Sequence, residues 1–129
     1  MKSYTNLEQS KELSKILPIK SADFSWRASF NGETNKWEHN FVPTPHYFHS
    51  YIGEPCWSLE ALMEILPESI SPDNGSNQVY KMCVYNYDGQ HCVDYVGEVD
   101  GDSYMCFGED SFVDACVKMI VRLNDKNLL

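Results

Sequence analysis

Apolar and polar positions along the chain alternate between a helical period and a strand period. Leu59, Leu62, Met63 and Leu66 fall at i, i+3, i+4 and i+7, which places them on one face of a helix. Ser58 stands where an N-cap belongs, Trp57 before it can staple onto Leu62, and Pro67 stops the helix. From Phe112 to Leu123 the only charged residues are Asp114, Lys118 and Arg122, four apart. One thin polar stripe on an apolar helix predicts packing on most of its sides, against neighbouring strands. Ser111-Phe112-Val113-Asp114 fits a capping box there, and Glu109 and Asp110 place negative charge near the positive end of the helix dipole. Asp114 and Lys118 are spaced to pair along the stripe. A first helix is predicted from Thr5, whose hydroxyl and Glu8 match a capping box, with Leu13, Ile16 and Leu17 as its apolar face and Pro18 at its end.

The strand period appears twice. Phe24, Trp26, Ala28 and Phe30 alternate with Ser25, Arg27 and Ser29, and after the Asn31-Gly32 turn signal Trp37, His39 and Phe41 repeat the pattern. These stretches predict an aromatic hairpin that ends at Pro43-Thr44-Pro45, since proline lacks the amide a ladder needs. Later, Val79 to Tyr87, Cys92 to Glu98 and Ser103 to Phe107 read as three strands. Asp88-Gly89 and Asp100-Gly101 separate them, and Asp-Gly suits turns whose central residues take positive φ. Between the second helix and these strands, residues 72–77 read as an exposed loop. The expected architecture is a single α+β domain over residues 1–129. An antiparallel sheet, made of a three-strand meander and the aromatic hairpin, packs with N-terminal, middle and C-terminal helices.

Composition supports a folded chain and restricts its partners. At 129 residues with 43% hydrophobic content, one domain can bury roughly two-thirds of its unfolded surface. No apolar run approaches the length of a membrane span, and Met1-Lys2-Ser3-Tyr4-Thr5 turns polar where a signal peptide would turn apolar. The expected location is the cytoplasm, with no membrane partner. Cys56, Cys83, Cys92, Cys106 and Cys116 are odd in number and lack CxxC spacing, so they read as thiols among apolar neighbours rather than a disulfide framework.

The net charge of −9 is unevenly distributed. No Lys or Arg occurs between Lys81 and Lys118, while Asp88, Asp94, Glu98, Asp100, Asp102, Glu109, Asp110 and Asp114 lie inside that span. Such a surface repels phosphate backbones, so direct nucleic-acid binding is disfavoured. Asp94, Glu98, Asp100, Asp102, Glu109 and Asp110 form the candidate surface for a basic protein partner.

Chemical motifs are sparse. His46 and His49 are three apart but have no Cys or acid pattern to complete a tetrahedral metal site. Asp100-Gly101-Asp102-Ser103 starts like a calcium loop, yet Met105 and Ser111 stand where Gly and Glu are required. Cys56, two residues before the cap of the second helix, is the nearest approach to an activated thiol, with no base beside it. No catalytic residue, metal or cofactor is assigned. The aromatic segment from Phe41 to Trp57 is the candidate ligand surface, through His46, Tyr47, His49, Tyr51 and Trp57. Its competing reading is a long connection whose aromatics cover the core.

Two stretches, Pro55-Cys56-Trp57-Ser58-Leu59-Glu60-Ala61-Leu62 running on to Leu66-Pro67, and Val113-Asp114-Ala115-Cys116-Val117-Lys118-Met119-Ile120, carry a resemblance. With Glu8-Gln9-Ser10-Lys11 and Asn127-Leu128-Leu129, they resemble a family of small uncharacterised proteins from Bacteroides-type gut bacteria and their phages and mobile elements. The resemblance covers about a third of the chain and implies kinship without implying chemistry. The order helix, meander, helix is also similar to that of double-stranded-RNA-binding domains and some small antitoxin domains. Where the RNA binders place lysines, at the start of the last helix, this chain has Glu109, Asp110 and Asp114. The expected function is a non-enzymatic accessory protein, itself encoded by a mobile element, that binds another protein, with a small ligand-binding protein or enzyme using residues 41–57 as the alternative.

Overall fold

The computed structural model describes residues 2–45 and 53–129. The fold is α+β; the described residues form helices α1 (Leu7–Ser14), α2 (Leu59–Ile65) and α3 (Phe112–Asp125) and seven strands. The strands are β1 (Phe24–Asn31), β2 (Lys36–Pro45), β3 (Gly53–Cys56), β4 (Ser69–Ile70), β5 (Tyr80–Tyr87), β6 (Gln90–Gly97) and β7 (Ser103–Glu109). They form two antiparallel sheets, ordered β2-β1-β3 and β4-β5-β6-β7, so the aromatic hairpin and the meander do not share one sheet. Contacts gather in two units, Ser3–Ala61 and Met1–Lys2 with Leu62–Leu129, and the chain passes between them within α2.

In the first unit, β1 is the central strand, flanked by β2 and β3. The hairpin signal is correct, and Pro43-Thr44-Pro45 forms the paired last residues of β2 rather than a loop after it. The register shifts between Trp26 and Arg27, after which Pro43, Thr44 and Pro45 pair with Trp26, Ser25 and Phe24. An edge strand tolerates proline because a missing amide can face outward, and β2 is an edge strand. Helix α1 starts one residue later than its sequence suggests. Asn6 is the cap, and Asn6 and Gln9 exchange the two bonds of the capping box. Thr5 is committed elsewhere: its amide donates to the Trp57 carbonyl at 2.9 Å, and its hydroxyl accepts from the Trp57 amide at 3.1 Å. The Trp26 indole N–H reaches the Thr5 carbonyl at 3.1 Å and Ser10 Oγ at 3.2 Å. Buried Thr5 and Ser10 thus satisfy their polar groups inside a core that includes Leu13, Leu17 and Cys56.

The second unit is the meander with a short extra strand, β4, paired to the start of β5. Asp88 and Gly89 adopt φ of 50° and 78°, as the two-residue hairpin turn between Tyr87 and Gln90 demands. The connection from β6 to β7 is wider: Gly97 N–H donates to the Asp102 carbonyl and Gly101 N–H to the Gly97 carbonyl. Helix α3 packs on β6 and β7. It buries Val113, Ala115, Cys116, Val117, Met119, Ile120 and Leu123, which accounts for its nearly uninterrupted apolar sequence. Val93 and Tyr95 are fully buried on β6, and Tyr95 Oη donates to the Pro67 carbonyl at 2.7 Å. Among the described residues no helix is long and apolar enough to cross a membrane.

Candidate functional site

The sequence-derived ligand surface is only partly described. His46, Tyr47, His49 and Tyr51 lie outside the described residues. Trp57 is fully buried, and its indole N–H donates to Ser21 Oγ at 2.9 Å. Its rigid, amphipathic ring is spent on the core, so Trp57 is not an exposed ligand contact. Beside it, Cys56 is also fully buried, between Thr5 and Ser10. Burial pushes its thiol up from its ordinary value, against hydrogen bonds that pull the other way. A thiol held protonated in this way is a poor nucleophile. Among the described residues, no group of His, Cys, Asp and Glu is arranged to hold a metal ion.

The six acids proposed as a partner surface occupy different settings. Asp94 is 5% exposed and accepts from Tyr85 Oη at 2.9 Å and from Ser103 Oγ at 2.6 Å. It is an internal acceptor that joins three strands, and this burial removes it from the open acidic surface. Glu98 pairs with Lys81 at 2.9 Å. Glu109 pairs with Lys118, and Asp114 takes the Lys2 ammonium at 2.6 Å, so the pairing expected between Asp114 and Lys118 gives way to these longer-range partners. Asp100 is a loop organiser: its Oδ1 accepts from the Asp102 amide at 2.9 Å and its Oδ2 from Gln78 Nε2 at 2.7 Å. These bonds hold its carboxyl below the ordinary value. Asp102 and Asp110 are exposed, as is Asp88 at the hairpin tip.

The feature the sequence did not single out is the outer half of β5. Residues Cys83 to Tyr87 are all exposed, with Tyr87 at 72%. Helix α3 covers β6 and β7, and β4 pairs only with Tyr80 and Lys81. The run Cys83-Val84-Tyr85-Asn86-Tyr87 carries no charge, proline or glycine. Edges of natural sheets are commonly guarded by lysine, proline, a bulge or a covering element, and this one has regular pairing to β6 throughout. The ladder phase follows from the turn. Tyr87 and Gln90 close a two-residue hairpin, so Tyr87, Tyr85 and Cys83 bond to β6 while Asn86, Val84 and Met82 face outward. The Met82 amide confirms the phase by donating outward to the Glu68 carbonyl at 2.9 Å.

A recess of about 510 Å³, lined by Glu68, Ser69, Lys81 and Met82, lies at the junction of β4 and β5. The signal for this edge was present in the sequence as a β-prone, uncharged run. Whether such a run is central or peripheral depends on strand order, which local pattern does not contain. Comparison with known proteins adds no relative: no family model, curated protein or solved structure matches this chain.

Proposed function

We propose that the chain is a non-enzymatic protein-binding module whose partner is basic. The observation that carries this reading is the exposed strand segment Cys83–Tyr87, set in a stretch without a single Lys or Arg between Lys81 and Lys118. An exposed run containing Val84, Tyr85 and Tyr87 is the kind of surface that partners cover, because aromatic side chains bury much area with few rotors lost. The surrounding carboxylates favour a cationic partner and speed its approach. They equally repel nucleic-acid phosphates. An accessory role on a mobile element, which the resemblance of the chain suggests, is compatible with a module of this kind.

The test is affinity capture from the native host, comparing the natural chain with a variant carrying Asp88→Asn, Asp102→Lys and Asp110→Lys. These side chains are exposed and asparagine suits the positive φ at position 88, so the fold should tolerate the changes. The expected result is a basic protein, identified by mass spectrometry, retained by the natural chain at low salt and lost by the variant. Equal retention by both chains, or no protein retained by either, overturns the reading.

A further inference from the structure

We propose that the outer edge of β5 binds an extended, lysine- or arginine-flanked segment of the partner, which adds to the sheet as an antiparallel strand beside Val84 and Asn86. This rests on the protein-binding reading and specifies how that binding occurs. Strand addition needs outward backbone groups, room beside them and side chains that tolerate cover. The outward phase leaves the N–H and C=O of Val84 and Asn86 pointing away from β6. Strand β4 stops short of them, since Glu68 is the last residue bonded along this edge, through the Met82 amide. An incoming strand would therefore lie in line with β4 and continue the sheet past it.

Charge selects the occupant. Exposed Glu68 stands at one end of the open edge and exposed Asp88 at the other. Lys81 is paired with Glu98 at 2.9 Å, although Glu68 also lies within its field. A segment with a cationic residue near each end meets a carboxylate at both, and apolar residues between them cover Val84 and Tyr85. Main-chain bonds supply affinity in such docking, and alternate side chains supply specificity.

A second copy of the chain fits poorly. One antiparallel register of two β5 edges sets Val84 of one copy against Asn86 of the other. That register carries each Asp88 toward the position opposite Met82, which Glu68 already holds. Two carboxylates would then meet at each end of the pairing. In that register the edge repels its own copy, whereas a cationic segment meets opposite charge.

The test is amide hydrogen exchange of the full chain, followed by NMR, with blocked peptide probes. One probe is Lys-Val-Tyr-Val-Thr-Val-Lys, and its counterpart replaces both lysines with glutamate. Exchange at Val84 and Asn86 should slow by about tenfold or more with saturating lysine probe, as new hydrogen bonds protect both amides. The glutamate probe should leave both rates unchanged. Val84→Pro and Asn86→Pro each remove one outward amide, at an edge where proline is tolerated, and each should weaken the lysine probe about tenfold.

Unchanged exchange at Val84 and Asn86 with the lysine probe overturns the proposal, as does an equal response to the glutamate probe. Slowing of these amides with protein concentration alone would show a second copy as the occupant and overturn it too. If host capture succeeds and survives Val84→Pro and Asn86→Pro, the edge assignment fails while the protein-binding reading stands.

Discussion

The Tyr85 hydroxyl donates to Asp94 Oδ2 across the β5–β6 ladder at 2.9 Å, while Ser103 Oγ donates to Oδ1 from β7 at 2.6 Å. One carboxylate therefore ties three neighbouring strands together on the sheet face opposite Val93 and Tyr95. Hydrogen bonds to a charged acceptor contribute more than neutral ones. Asp94→Ala should lower unfolding free energy by about 1–3 kcal/mol, and Tyr85→Phe by about 1 kcal/mol. Combining them should cost less than their sum, because each removes the same contact. Urea denaturation of the three variants checks this. A fully additive double variant would mean that the contact contributes nothing.

The five thiols should divide by accessibility. Cys83 and Cys106 are exposed, whereas Cys56, Cys92 and Cys116 are buried. Burial also pushes the Cys116 thiol up to about 12 and raises those of Cys56 and Cys106. At pH 8 a thiol reagent should label Cys83 first and Cys106 more slowly. The buried three should react only when the chain unfolds, since burial keeps the reagent out and, at Cys56 and Cys116, also holds the thiol protonated. Mass spectrometry of timed digests reads the order directly, and early labelling of Cys116 would contradict the packing of α3.

Much of this arrangement was legible where a local rule carries its own geometry. Ser58 and Ser111 accept from the amides of Ala61 and Asp114, at 3.2 and 3.1 Å, because a cap is decided within a few residues. Asp88-Gly89 makes the expected turn for the same reason. What local pattern could not contain was partner choice over distance. Thr5 looks like a cap until Trp57 claims its backbone and hydroxyl, and Asp94 looks like a surface acid until Tyr85 and Ser103 converge on it. Strands β3 and β4 are short and owe their existence to β1 and β5, so no period within them announces a strand. The bare edge of β5 was hidden by the same lack of strand order.

Asp100 should give the stability curve part of its acid limb. The Asp102 amide and Gln78 favour its ionised form, which lowers its folded-state value below 3.8. The stabilisation is therefore present above the unfolded value and lost as pH falls through the folded one. Asp100→Asn should flatten stability against pH below about pH 4, relative to the natural chain, with little change in slope near neutrality. Gly97→Ala probes the same cluster sterically, because a Cβ there would overlap Gln78 Oε1 and Asp100 Oδ1. That overlap should cost about 1–3 kcal/mol. Thermal melts from pH 2.5 to 7 would expose both effects; an Asn variant with an unchanged acid limb would place the titration elsewhere.

Ser111 offers the cleanest link from one side chain to the stability of the second unit. Its backbone is extended, with φ −144° and ψ 156°, and its hydroxyl accepts from the Asp114 amide at the start of α3. Removing that acceptor takes a hydrogen bond from the first turn of the helix that packs on β6 and β7. Ser111→Ala should lower unfolding free energy by about 1 kcal/mol. Ser111→Asp should recover much of the loss, since a carboxylate both accepts the same bond and complements the helix dipole. Ser111 is itself buried, so the larger, charged aspartate tests whether capping geometry or local packing sets the cost. Denaturant midpoints of the two variants separate these causes: an aspartate chain no more stable than the alanine chain would assign the loss to packing.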